Sequence, residues 1–138
     1  MEIFTGSFTQ QEPIPAEGIE AALRVLQSGR LHRYNTVAGE VAEAALLEEE
    51  FAAQTSARYC LAVASGGYAL ACALRAVGVQ PGERVLTNAF TLAPVPGAIA
   101  SVGAVPVFVG VTEGLVIDLD DLAAKAQGAS VLMLSHMR

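Results

Sequence analysis

The sequence predicts an α/β fold, a doubly wound and mostly parallel sheet with flanking helices, preceded by a helical N-terminal segment. Three observations carry this prediction. Short apolar runs of strand length recur at Tyr59–Ala64, Arg84–Asn88, Val105–Val109 and Ser130–Leu134. Apolar residues at helical spacing fill the intervals between them, the rhythm of βαβ units with right-handed crossovers. The composition is 53% hydrophobic and 16% charged, with a mean hydropathy of +0.47, as expected for strands buried on both faces. Residues 1–58 read as a leader and two helices, and residues 59–138 as successive βαβ units.

Met1–Glu12 shows no sustained period and reads as an extended leader. Pro13-Ile14-Pro15 enforces extended backbone and then permits a helix start. Ile19, Ala22, Leu23 and Leu26 form one apolar stripe, and Gly29 is placed to end the helix. Arg30–Thr36 lacks helical or strand period and reads either as a solvated connection or as a substrate-facing loop, in which Arg30, His32 and Arg33 are suited to meeting an anion. Glu40–Gln54 reads as a second helix. Its Glu48-Glu49-Glu50 run points in three directions and reads as a solvated face rather than an acid–base or metal cluster.

Tyr59–Gly78 (YCLAVASGGYALACALRAVG) organises the chain. A short apolar run passes through Ser65-Gly66-Gly67 into apolar helical spacing at Ala69, Leu70, Ala73, Leu74 and Val77. Gly78 stands where a helix closes. A strand entering a helix through glycines is a phosphate-binding arrangement, because first-turn amides point at the anion and glycine lets it approach the backbone. The helix dipole adds ~0.3–1 kcal/mol, up to ~2 when partly buried.

Gln80–Glu83 reads as a turn before the Arg84–Asn88 strand. Asn88–Leu92 then lies at the carboxyl end of that strand, where open α/β sheets place ligands. Pro94–Val102 reads as a short helix and Val105–Val109 as a strand rich in β-branched residues. Leu115–Ile117 reads as a short extended piece. Asp118 is an N-cap for the helix Leu119–Gln127, with Asp120 and Asp121 complementing its dipole rather than forming a metal site. Gly128 closes that helix.

Several function classes are excluded. The net charge of −6, from 14 acidic and 8 basic residues, and the absence of tryptophan leave no nucleic-acid footprint. Phe90–Val111 is 22 residues long and uncharged, but its prolines and glycines would break a membrane-spanning helix repeatedly. Cys60 and Cys72 sit in apolar periodic segments and read as buried thiols rather than a disulfide or metal ligands. No secretory signal pattern opens the chain, so a cytoplasmic location is expected.

Taken together, these segments resemble the N-terminal part of the DegT-like sugar aminotransferases, which use pyridoxal 5′-phosphate (PLP) on the type I fold. That family carries Ser-Gly-Thr-x-Ala-Leu after a strand, a "GxxPGDEV" turn, a "P-S-F-T-F" segment and "GAxPVFVDV". The matching positions here are Ser65–Leu70, Gly78–Val85, Asn88–Leu92 and Gly103–Val111. Glu113–Lys125 resembles the family's "INIDPxxLEAA" segment. The resemblance extends over nearly the whole chain.

The resemblance implies that Ser65, Gly66 and Gly67 hold the PLP phosphate and that Leu92 supports one face of the cofactor ring. It implies that Arg33 and Tyr34 reach a substrate site shared between subunits of a homodimer. Two positions depart from the family. Gly67 replaces threonine, removing a hydroxyl bond to phosphate that is worth ~1.5–3 kcal/mol. Leu92 replaces an aromatic residue, removing ~0.5–1.5 kcal/mol of stacking. The resemblance also places the Schiff-base lysine and the aspartate that holds the pyridine nitrogen beyond Arg138, so no catalytic residue is assigned here.

The expected function is therefore the N-terminal portion of an aminotransferase moving an amino group from an amino acid to a keto-sugar or related small molecule. These 138 residues alone are expected to be inactive, since Lys125 is the only lysine. The alternatives are a non-catalytic phosphate-binding or interaction module, and a PLP-dependent lyase or dehydratase on the same fold.

Overall fold

The computed structural model describes residues 3, 5–7, 9 and 11–137. One compact unit ends at Ala62 and a second begins at Val63.

In the first unit, Pro15 holds extended backbone (φ −54°, ψ 147°) and helix α1 follows at Ala16–Ser28. Gly29 ends α1 at φ +67°, a left-handed conformation that glycine adopts without a Cβ penalty. Helix α2 spans Glu43–Thr55, starting three residues later than the periodicity places it. Glu40 instead closes a turn, its N–H bonded to the Val37 carbonyl at 3.0 Å, and Ala42 is still extended.

The run Tyr59–Ala64, expected as a strand, is not one. None of the described strands pairs with it, and Tyr59 and Leu61 are largely exposed. The Ala62 N–H, which a neighbouring strand would accept, goes to the Glu48 carboxylate at 2.8 Å.

The second unit is three parallel strands with helices between them. Helix α3 (Gly66–Ala76) is followed by strand β1 (Arg84–Asn88), helix α4 (Pro94–Ser101), strand β2 (Val105–Val109), helix α5 (Leu119–Lys125) and strand β3 (Ala129–Met133). The sheet order is β2-β1-β3. The chain winds from β1 to one side and then crosses back to the other, and right-handed crossovers then put α4 and α5 on opposite faces.

β1 is buried on both faces, with Val85, Leu86, Thr87 and Asn88 all sequestered. The core joins Ala71, Leu74 and Val79 at α3 to Val85 on β1, and to Ala98, Ile99 and Val102 at α4. α3 closes with the Val79 N–H on Leu74 and the Gly78 N–H on Arg75, with Gly78 at φ +87°. That Schellman closure also buries Leu74 and Val79 together.

Of the Leu115–Ile117 piece only Ile117 bridges, antiparallel to Val111, while Leu115 turns at φ +62°. α5 stops at Lys125, short of Gln127, whose carbonyl accepts from the Arg84 guanidinium at 2.7 Å. The uncharged stretch 90–111 divides into α4 and β2, and no described helix is long and apolar enough to cross a membrane.

Candidate functional site

The site begins at the N-terminus of α3. Ser65 is its N-cap, and its hydroxyl oxygen accepts the Tyr68 N–H at 3.2 Å. That leaves the Ser65 hydroxyl proton free to donate. The Ala69 N–H returns to the Ser65 carbonyl at 2.9 Å. Among the described residues nothing accepts the N–H groups of Gly66 and Gly67. Two backbone donors and one hydroxyl donor therefore converge on the positive end of an eleven-residue helix.

The glycines keep that end open. A Cβ at Gly66 would meet nothing within 4 Å, and one at Gly67 would meet only Pro94 Cβ at 3.7 Å. Neither glycine has positive φ, so their smallness serves access and not backbone geometry. A shallow groove of ≈ 470 Å³ runs from Ser65 and Gly67 along α3 and α4 to Arg75.

The Gly67–Pro94 proximity brings the loop after β1 to the same place. Leu92 stands two residues before Pro94, is 60% exposed, and accepts the Val95 N–H through its carbonyl. In the same loop the Thr91 hydroxyl oxygen is buried without a partner among the described residues. Asn88 is buried beneath the loop, its side chain bonded to Phe90 and Ser135. Ser65, Gly66, Gly67 and Leu92 thus lie at one end of the second unit.

Arg33 and Tyr34 belong to the first unit. The Arg33 guanidinium makes two 2.6 Å bonds to the Glu48 carboxylate, and Arg30 is likewise engaged by Glu40 at 2.8 and 2.9 Å. Tyr34 is 80% exposed and stacks on His32, with centroids 5.2 Å apart and planes inclined by 4°. The loop lines a hollow of ≈ 470 Å³ with α1 and the start of α2. Glu48, read from sequence as part of a solvated face, is the exception in its run. Its side chain is only 12% exposed, and bonds from Arg33 and then Ala62 hold its carboxyl below the usual carboxylate range.

Sequence reasoning missed the roles of Glu48 and Asn88. The signal for Asn88 was available, because asparagine is depleted from strands and here ends an apolar one. Nothing local distinguished Glu48 from its neighbours. Asp118 caps α5 through the N–H groups of Asp120 and Asp121. Among the described residues no group of His, Cys, Asp or Glu is arranged to hold a metal.

The profile of the DegT/DnrJ/EryC1/StrS aminotransferase family matches residues 13–137. The chain belongs to this family. It is 35% identical over 94 residues to UDP-2-acetamido-2-deoxy-3-oxo-D-glucuronate aminotransferase of Pseudomonas aeruginosa, a match covering 68% of this chain and 23% of that one. Its fold matches 3-amino-5-hydroxybenzoic acid synthase with a TM-score of 0.77 and 31% identity, over 92% of this chain and 32% of that one. It also matches Spr1654 of Streptococcus pneumoniae in its PLP form, with a TM-score of 0.75 and 25% identity, over 88% and 30% of the two chains. The chain thus spans 23–32% of the length of these relatives.

The donor set fits a DegT-family cofactor. A phosphate dianion asks for several N–H and O–H donors at an open helix end, and Ser65, Gly66 and Gly67 present those. Leu92 offers an apolar side chain at the same end.

Proposed function

We propose that this chain is the cofactor-receiving start of a PLP-dependent aminotransferase that acts on a keto-sugar or related small keto compound. When bound, PLP supplies the electron sink for moving an amino group from an amino acid donor. The role of these residues is to bind and orient. The Gly66 and Gly67 amides and the Ser65 hydroxyl hold the phosphate, and Leu92 packs against one face of the ring. The single observation that carries this reading is the pair of unclaimed amides beside a free hydroxyl proton at the N-terminus of α3, in a chain of this family.

In the first unit, Arg33 and Tyr34 are the loop residues that reach substrate, Tyr34 from an exposed position and Arg33 while paired with Glu48. Residues 59–138 open the larger cofactor domain, and the working form is a cytoplasmic homodimer of a longer chain. These assignments rest on the family resemblance, and sizing the longer protein in solution tests the dimer.

The experiment for the phosphate site is an amide NMR titration with inorganic phosphate and with pyridoxamine phosphate. The Gly66 and Gly67 amides are expected to shift with both, and the Gly66→Val variant to lose binding. Unmoved amides at 66 and 67, or unchanged binding by the variant, overturn the assignment.

A further inference from the structure

We propose that Asn88 is a positioning residue for the loop that carries Leu92, acting by tying that loop to the segment beyond β3. The inference rests on the cofactor reading above. Asn88 is the last residue of β1 and 3% exposed. Its Nδ2 donates to the Phe90 carbonyl at 2.6 Å and to the Ser135 carbonyl at 3.1 Å, and its Oδ1 accepts the Ser135 N–H at 2.9 Å.

The β1–β3 register ends at Thr87 opposite Met133. Past that point the Asn88 side chain takes over, giving Ser135 both a donor and an acceptor. A neutral amide presents both at once, whereas a carboxylate only accepts and an apolar side chain does neither. On the other side of the loop, the Ala89 N–H is held by the Val109 carbonyl of β2 at 2.8 Å. The loop is therefore anchored to both neighbouring strand ends, at the carboxyl edge of the sheet where the winding reverses. Leu92 is presented to solvent from backbone that is fixed on two sides, and such fixing lowers the ordering cost of contact with a planar ring.

The test uses the 138-residue chain with inorganic phosphate and with pyridoxamine phosphate, which has no aldehyde to react with surface amines. Asn88→Ala is expected to speed amide exchange at residues 89–92 and 135–136 by about tenfold, with α3 keeping its protection. Affinity for pyridoxamine phosphate is expected to fall by about tenfold while affinity for inorganic phosphate holds. The circular dichroism of the bound pyridine ring is expected to change. Asn88→Gln keeps both the donor and the acceptor at one methylene's displacement, so it should give a smaller version of the same pattern. It also serves if the alanine variant does not fold. Equal pyridoxamine phosphate affinity and equal ring dichroism in a folded variant overturn the proposal. So does joint loss of both ligands, or loss of α3 protection in both variants, since either marks a purely structural role. A wild-type chain that binds neither probe overturns the cofactor reading first, and this proposal with it.

Discussion

Arg33 and Glu48 face each other fork to fork, Nη1 on Oε1 and Nη2 on Oε2, both at 2.6 Å. The same carboxylate accepts the Ala62 N–H, so one side chain of α2 holds the loop before it and the segment after it. The Arg33 bonds, and then the Ala62 N–H, lower the Glu48 pKa, while Arg33 is pushed further up and stays charged. A depressed carboxyl pKa means stability that is full above the unfolded carboxyl's value and is lost as pH falls through the folded one. Acidification below about pH 5 is therefore expected to lower the protection of the Ala62 amide relative to its intrinsic exchange rate at each pH. In Glu48→Ala, which has no acceptor, that protection should already be lost at neutral pH and show no acid step of its own. An identical acid profile in the variant would refute the anchoring role. Asp121, lowered by the Gly110 N–H and then by Lys125, carries the same sign for the second unit and is untouched by this variant.

Gly67→Thr should restore a hydroxyl at the helix end without strain, because the Cβ position meets only Pro94 at an ordinary 3.7 Å. A hydrogen bond to a charged phosphate is worth ~1.5–3 kcal/mol, so phosphate and pyridoxamine phosphate should each bind at least roughly tenfold tighter. Gly67→Val is the control of equal shape. Equal affinities for the threonine and valine variants would place the phosphate elsewhere.

Two glycines should respond in opposite directions to alanine. Gly103 has φ +81°, and its Cβ would stand 3.1 Å from Pro81 Cβ and 3.4 Å from Pro81 Cα. Gly103→Ala is expected to destabilise by ~1–3 kcal/mol. Gly97 lies within α4 with open space at its Cβ, so Gly97→Ala should stabilise by ~0.5–1 kcal/mol. Urea midpoints measure both. Shifts of the same sign would contradict the backbone description.

The Thr87 hydroxyl is fully buried and has no partner among the described residues. Replacing it with the isosteric Val removes an unsatisfied group, so Thr87→Val is expected to be neutral or stabilising by ~1 kcal/mol. Ile99→Ala, at a fully buried position in the core cluster, sets the scale with an expected loss of ~2–5 kcal/mol. A large loss for Thr87→Val would reveal a bonded hydroxyl.

Lys125 donates to Asp121 at 2.7 Å and to the Phe108 carbonyl at 2.9 Å, fastening α5 to β2. The 138-residue chain supplied with PLP, an amino donor and a keto acid is expected to show no turnover. Lys125→Ala should instead lower stability at the α5–β2 contact. Turnover in wild type that disappears in this variant would make Lys125 a chemical residue.

Much of the second unit was legible from residue pattern. β1, α4 and β2 lie where the apolar runs and Pro94 put them, and Asp118 caps α5 as its spacing implies. Such features are local, since a cap, a glycine closure or a buried strand is determined within a few residues. The failures were non-local. Tyr59–Ala64 has strand composition, yet a strand exists only through a neighbour, and the Ala62 N–H found Glu48 instead. Glu48 and Glu49 belong to the same acidic run, and the return of Arg33 and Ala62 to α2 is what separates them.

The sequence by itself determined the α/β class, the family and the donor-bearing helix end at Ser65-Gly66-Gly67, because these depend on spacing and residue type along the chain. Tertiary structure decided that the Leu92 loop reaches that helix end through Pro94. It also decided that Asn88 ties that loop to Ser135, 47 residues away, and that Arg33 is held by a carboxylate. Each of these is a contact between segments distant in sequence. Such contacts are set by how the strands order themselves and how the helices pack, and no local propensity encodes them.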